Sequence, residues 1–185
     1  MPDNPNTEKL IELQRELSQL DMKDWLEHDA LSPEWWTVIG IFVISWVAFL
    51  KLVDRKRLPE LVLVMFSVIF ITETLDHLGY ELGFWYYPVE MLPLFPRFEE
   101  VNLSVLPVTY TLIYQYLPDW RRFIFALIIM SGIFTFVAEP LLIKMNLYML
   151  LKWKSIYGFP IYIAVGMAVK WFVEALGRTA AEHRK

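Results

Sequence analysis

Four residues that could bind an ion or transfer a proton lie at helical spacing inside a long apolar run, Glu73, Asp76, His77 and Tyr80. Steps of three and four residues bring side chains together on one face of a helix. Ionisable groups at membrane depth are costly, so they usually face the protein interior and mark a site. We therefore predict that this helix contributes an intramembrane polar cluster.

A second apolar run contributes another carboxyl group, Glu139, which is followed by Pro140. One predicted span lies between the two runs, so their helices are parallel. At about 1.5 Å per residue, Asp76 and Glu139 both lie roughly 22–24 Å from the start of their helices. Asn102 begins the intervening helix and reaches the same level from the opposite direction, with Arg97 just before it. The predicted cluster comprises Glu73, Asp76, His77, Tyr80, Asn102 and Glu139, with Arg97 as a partner.

Three uses of such a cluster follow from its chemistry. Carboxylates with a histidine suit a divalent metal ion, although this spacing is not a specific ligand motif. The same groups suit proton transfer, because crowded carboxylates and histidine titrate near neutral pH. Alternatively, Glu73 and Glu139 pair with Arg97, His77 or the backbone and hold helices together. The sequence selects neither a metal nor a cofactor.

Composition places the chain in a membrane rather than on a nucleic acid. Of its 185 residues, 56% are hydrophobic and 16% are aromatic, and the formal net charge is −4. Such an apolar content exceeds that of soluble domains, abundant tryptophan suits interfacial belts, and a negative charge argues against nucleic-acid binding. The chain has no cysteine, so thiolate metal sites and disulfides are excluded.

The apolar runs predict an all-α, polytopic membrane helical bundle with about five transmembrane helices. The expected spans are residues 35–53, 61–82, 102–117, 123–143 and 155–176. Pro107 and Pro140 are expected to bend the third and fourth helices. The predicted organisation is an acidic amphipathic helix and linker at residues 1–31, the membrane domain at 32–177 and a polar tail at 178–185.

The N-terminal helix has a leucine seam, formed by Leu10, Leu13, Leu17 and Leu20 at steps of three and four. Such a seam predicts that the helix lies against the rest of the protein. The alternative is a coiled-coil contact with a second copy of the chain or with a membrane partner.

The longest connection, residues 83–101, contains three prolines but is too apolar for a solvated loop. We expect it to be ordered and partly buried, with Trp85 and Tyr87 at the membrane interface. The flanking Lys and Arg residues favour an N-terminus outside and a C-terminus inside, although the lysines between the last two spans oppose this orientation.

Several segments resemble a family of uncharacterised multi-pass membrane proteins of spore-forming Gram-positive bacteria, the Firmicutes. The matching segments are KLVDRKRLPE, LDHLGYELGFWYYPVEMLP, LFPR, LSVLPVTYTLIYQYLPDW, IMSGIFTFVAEPLL and WKSIYGFPIYI. The resemblance covers about two thirds of the chain and implies a small protein of the cytoplasmic or spore membrane. It supplies no reaction and no catalytic residue. Fainter similarity to membrane lycopene cyclases rests on short spans, an aromatic-proline loop and intramembrane acids.

Three functions remain open from the sequence. The first is a membrane protein, or an accessory subunit, that binds or passes a small polar species or a proton at the acidic cluster. The second is a membrane-embedded enzyme that acts on a lipid or isoprenoid, with Glu139 or Asp76 as the acid. The third is a purely structural protein. No catalytic triad, phosphate loop or nucleotide fingerprint is present in the sequence. We place a binding function ahead of an enzyme.

Overall fold

The computed structural model describes residues 5–93 and 100–182, and within these ranges it is helical apart from one two-stranded sheet. This confirms the all-α fold class. The α-helices are α1 (Pro5–Asp24), α2 (Pro33–Leu52), α3 (Leu58–Glu81), α4 (Glu100–Leu103), α5 (Val105–Tyr116), α6 (Trp120–Ile133), α7 (Glu139–Lys144) and α8 (Gly158–Glu182). Short 3₁₀-helices lie at Arg55–Arg57 and Ser155–Tyr157, π-helical turns at Trp25–Asp29 and Phe134–Ala138, and strands β1 and β2 at Trp85–Tyr86 and Met149–Leu150.

Within the described ranges, four helical segments are long and apolar enough to cross a membrane. They are Pro33–Leu52, Arg55–Glu81, Trp120–Lys144 and Ser155–Thr179. Large apolar side chains such as Ile44, Phe66, Phe70 and Phe125 are exposed on their outer surfaces. A contiguous apolar exterior of this kind is stable against lipid and unfavourable in water. The chain is therefore a polytopic membrane protein.

The third predicted span is interrupted near its start. Helix α4 ends at Leu103 and α5 begins at Val105, so the break falls at Ser104. Pro107 explains this position, because it has no N–H for the Leu103 carbonyl and its ring crowds that carbonyl. At 12 residues, α5 is about 18 Å long, which is shorter than a hydrocarbon core of about 30 Å.

The fourth predicted span contains a π-helical turn at Phe134–Ala138, directly before α7. Pro140 cannot donate a hydrogen bond to the carbonyl of Phe136, and its ring would clash with that carbonyl in a regular helix. A wider turn relieves the clash, as π-bulges often do near functional positions. Pro140 predicts a bend in this helix, and the structure shows a π-helical turn at Phe134–Ala138.

Helices α3, α5, α6 and α8 pack around one core, which includes Leu61, Val68, Tyr110, Leu127 and Val169. Helix α8 approaches its neighbours closely at Gly166. A Cβ atom added there would lie 2.7 Å from both methyl carbons of Leu127 and 2.8 Å from Cε1 of Tyr110. The glycine therefore sets the spacing of three helices.

Replacing Gly166 by alanine is expected to lower the free energy of unfolding by about 1–3 kcal/mol, because the core must shift to accept a methyl group. The matched control is Gly40→Ala on α2, where an added Cβ meets nothing within 4 Å. That change is expected to be neutral or stabilising by up to about 1 kcal/mol through helix propensity. Reversible unfolding in detergent measures both. Equal stability of the two variants would contradict this packing.

Helix α1 is not buried against the bundle. The exposed fractions of Leu10, Leu13, Leu17 and Leu20 are 63%, 51%, 50% and 63%. The prediction that this leucine seam lies against the rest of the protein is therefore wrong for the described residues.

The two strands join the connection after α3 to the one before α8. They pair antiparallel, with Trp85 opposite Leu150 and Tyr86 opposite Met149. Helix α3 ends in a Schellman motif, in which Gly83 has a positive φ of 66°, its N–H donates to the Tyr80 carbonyl, and the Phe84 N–H donates to the Gly79 carbonyl. This ending turns the chain back, so that Trp85 packs on α3.

Candidate functional site

A cavity of about 290 Å³ lies between α3, α5 and α8 and beneath the two paired connections. Three of its lining residues have carboxyl or amide side chains, Asp76 of α3, Asn102 of α4 and Glu139 of α7. Its aromatic lining residues are Phe84, Trp85, Tyr87, Tyr148, Trp153 and Tyr162. Most of the remaining wall is aliphatic, so the cavity combines an apolar interior with a few convergent polar groups, as small-molecule sites do.

Asp76 is held by two donors from the connection that follows its own helix. The indole Nε1 of Trp85 donates to Asp76 Oδ1 at 3.0 Å, and the hydroxyl of Tyr87 donates to the same oxygen at 2.7 Å. These bonds fix the carboxyl group in the cavity wall and leave Oδ2 without a hydrogen bond to any described residue. Asp76 therefore keeps one oxygen for a ligand.

The close approach of Trp85 depends on the residue one turn after Asp76. A Cβ atom added at Gly79 would lie 2.1 Å from two ring atoms of Trp85. The indole thus occupies the space that any larger residue at this position would fill. Stacking of Phe84 on Trp153 and an edge-to-face contact of Trp85 with Trp153 complete the aromatic cover of the cavity.

Glu139 is 9% exposed and also lines the cavity, from α7. Its Oε1 accepts a hydrogen bond from the Tyr162 hydroxyl at 3.1 Å, and the Ser155 side chain also interacts with this carboxyl group. Its Oε2 is buried and has no hydrogen-bond partner among the described residues. A buried oxygen without a partner costs about 1–3 kcal/mol, so its retention needs an explanation.

Asn102 is 7% exposed and lines the cavity from α4. Its amide makes no hydrogen bond to a side chain or carbonyl within residues 5–93 and 100–182. An amide can both donate and accept. The cavity therefore presents two carboxyl oxygens and one amide that a bound molecule can satisfy.

The predicted single face of α3 proves to be two neighbouring faces. Asp76, Thr72 and Gly79 line the cavity, whereas Glu73, His77 and Tyr80 do not. Consecutive residues of a helix are about 100° apart, so Glu73, His77 and Tyr80 form the next stripe around α3. His77 is exposed, and the ring of Tyr80 lies 6.1 Å from that of Tyr86. The predicted partner Arg97 lies outside the described residues.

The connection after α3 is anchored by the π-helical turn at Trp25–Asp29 and by the first turn of α2. The indole Nε1 of Trp25 donates to the Glu90 carbonyl at 3.0 Å, and that of Trp35 donates to the Met91 carbonyl at 2.9 Å. Glu100 accepts from the Met91 N–H at 2.6 Å, and burial raises the pKa of its carboxyl group. As expected, the described part of this connection, residues 83–93, is partly buried, whereas residues 94–99 lie outside the described residues.

A second polar group lies at the opposite end of the bundle. The spacing of Lys170 and Glu174 predicts an i,i+4 pair at the membrane interface, yet Lys170 is only 1% exposed. Its Nζ donates to the Pro118 carbonyl at 2.7 Å and lies 3.4 Å from Glu174 Oε1. It also lies 4.6 Å from the ring centre of Phe123. No local pattern predicts this burial, because the enclosing residues come from another helix.

The geometry does not support a metal site in the part of the chain that the structure describes. There, no three His, Asp or Glu side chains are grouped closely enough to hold an ion. Asp76 and Glu139 supply two carboxyl groups, and one oxygen of each already accepts a hydrogen bond. The arrangement instead suits a molecule that brings its own hydrogen-bond donor.

Fold and cavity together define a class: a small helical membrane protein with an acidic, aromatic-lined cavity. No protein-family model matches the chain, and no curated protein or solved structure matches it.

Proposed function

We propose that this protein binds the donor group of a small molecule between Asp76 and Glu139 within the membrane. The observation that carries the proposal is the buried, unpartnered Oε2 of Glu139 in a cavity of about 290 Å³. Asp76 and Asn102 line the same cavity and have polar atoms left to satisfy. A molecule with a hydroxyl or amine group would supply the missing donor.

A purely structural cluster would be built differently. Buried carboxyl groups that hold helices together are paired with cations or saturated by donors, because an unpaired buried group destabilises the fold. Neither Asp76 nor Glu139 forms an ion pair with a Lys or Arg among the described residues. A contrast is provided by Glu60, which receives a bidentate bond from Arg57 and another from Tyr114. Both carboxylate oxygens of Glu60 therefore accept hydrogen bonds, unlike those of Glu139.

Replacing Glu139 by glutamine tests the proposal. Glutamine keeps the shape and can still accept the Tyr162 hydrogen bond, but it removes the carboxyl oxygen that faces the cavity. We expect the unfolding midpoint to stay within a few degrees of the wild-type value. We also expect native mass spectrometry from membrane extracts to show loss of a co-purifying small molecule.

The matched control is Glu81→Gln, an exposed carboxyl group at the end of α3 outside the cavity. This variant should keep the molecule. The proposal fails if Glu139→Gln retains the molecule at the wild-type level. It also fails if the only effect is loss of stability in proportion to loss of folded protein.

We further propose that the third predicted span completes a five-span topology, with the N-terminus outside a Firmicutes cytoplasmic or spore membrane and the C-terminus inside. Helices α4 and α5, at residues 100–116, support this count, because together they form a helical segment between α3 and α6. Because the chain has no cysteine, Leu20→Cys and Thr179→Cys each introduce a single thiol. An impermeant reagent should label position 20 from outside and position 179 only after lysis. Labelling of both from one side would refute the odd number of spans.

A further inference from the structure

We infer that the bound molecule is a lipophilic cation, an alkylamine or alkylammonium, which enters the cavity from the bilayer between α3 and α8. This inference rests on the proposed function and adds the charge of the ligand and its route. It is carried by the position of the opening, the size of the cavity and the chemistry of its walls.

The opening lies on the lipid-facing side of the bundle. Four aliphatic residues line the cavity and are also exposed, Leu75, Leu78 and Leu82 on α3 and Ile161 on α8, with exposed fractions of 41%, 53%, 59% and 36%. Both helices belong to segments able to span a membrane. A molecule that enters between them leaves the lipid and passes these apolar side chains. This route favours an amphiphile over a hydrated ion, because an ion would lose its water there.

The cavity is too small for a whole lipid. Its volume of about 290 Å³ lies at the lower end of the roughly 300–1,000 Å³ that ligand pockets occupy. A head group with a few attached carbons fits inside, while a longer chain can remain between α3 and α8 in the bilayer. The expected ligand therefore has a compact polar head and an apolar tail.

The walls favour a positive head group. The cavity contains two carboxyl groups and six aromatic residues, and no described lining residue is Lys, Arg or His. Aromatic faces attract cations, and the attraction is strongest where water is excluded. An anionic head group would meet two carboxyl groups without a compensating charge.

The same chain already holds one of its own cations in this way. The Lys170 ammonium group lies 5.1 Å, 5.4 Å and 4.6 Å from the ring centres of Tyr114, Trp120 and Phe123, beside the Glu174 carboxyl group. The cavity at the other end of the bundle repeats the combination of carboxyl group and aromatic rings. There, no described residue provides a cation, which leaves that position open to a cationic ligand.

Three probes with the same tail separate the charge of the head group from its other properties. They are dodecylammonium (dodecylamine, protonated at pH 7), 1-dodecanol and dodecyl sulfate, titrated into the full chain in phosphatidylcholine nanodiscs. Trp85 and Trp153 line the cavity, so quenching or enhancement of tryptophan fluorescence reports binding. We expect the cation to bind at least about tenfold more tightly than the alcohol, which corresponds to about 1.4 kcal/mol, and the sulfate to bind least.

Variants separate specific binding from partitioning into the lipid. Asp76→Asn combined with Glu139→Gln should lower the affinity for the cation at least about tenfold, and Glu81→Gln should leave it unchanged. If the double variant does not fold, Glu139→Gln alone and the order of the three probes on the wild type decide the matter. Tighter binding of the alcohol that depends on Glu139 would overturn the cation and keep the proposed function. Probes that bind the wild type and every variant equally would overturn both.

Discussion

Replacing Gly79 by alanine should displace the Trp85 indole and weaken ligand binding at least about tenfold. The added Cβ would lie 2.1 Å from two atoms of the Trp85 ring, which is far inside any real contact. The indole cannot remain, so its hydrogen bond to Asp76 is lost and the aromatic cover opens. Overpacking of this kind costs about 1–3 kcal/mol of unfolding free energy.

The measurement for Gly79→Ala is ligand affinity together with the wavelength of tryptophan emission, which should shift to the red as Trp85 leaves the cover. Gly177→Ala is the control, because an added Cβ there meets nothing within 4 Å. It should leave both readouts at the wild-type value. Unchanged affinity and emission in Gly79→Ala would show that Trp85 does not pack on α3.

Replacing Lys170 by methionine should lower the free energy of unfolding by about 2–4 kcal/mol without changing affinity at the distant cavity. Methionine retains most of the volume but removes the ammonium group, so the Pro118 carbonyl loses its donor and the half-buried Glu174 keeps only the hydrogen bond from the Trp120 indole. The value lies below that for a fully buried pair, because Glu174 is 34% exposed and partly screened by solvent.

Reversible unfolding in detergent measures this loss, and Lys152→Met, at an exposed lysine, is the control. The control should be stable to within about 0.5 kcal/mol of the wild type. A stable Lys170→Met variant would show that the aromatic rings around Lys170 contribute little. If Lys170→Met lost ligand binding at unchanged stability, Lys170 would influence the distant cavity, contrary to our expectation.

The helical class could be predicted from the sequence because apolar runs and their caps are local signals. The Ser32 hydroxyl accepts from the Trp35 N–H, and Pro33 begins α2, as the sequence indicates. That Asp76 and Glu139 lie at one level, where both line the cavity, could also be predicted. Equal depth on parallel helices requires only a count of residues from the start of each helix. The break at Ser104 and the π-helical turn before Glu139 are the structural results of prolines that the sequence displays.

The sequence did not show which way each side chain faces around its helix. It also did not show which segments, distant along the chain, come into contact. Steps of three and four do not distinguish the stripe of Asp76 from that of Glu73, about 100° away, because both are partly polar. The packing of Trp85 on Gly79 depends on how α3 ends. The burial of Lys170 depends on Trp120 and Phe123, which lie some fifty residues earlier in the chain. Such contacts depend on tertiary packing, so they could not be predicted from the spacing of neighbouring residues.

An amphiphile bound in the cavity beside Asp76 and Glu139 should protect a single thiol introduced into the cavity wall. Leu142→Cys places a thiol in the cavity wall, and Leu141→Cys places one on the exposed outer surface of the same helix. We expect saturating dodecylammonium to slow alkylation at position 142 at least about tenfold and to leave position 141 unchanged, and we expect Glu139→Gln to abolish the protection. Alkylation at position 142 that is equally fast with and without each of the three probes would contradict this expectation.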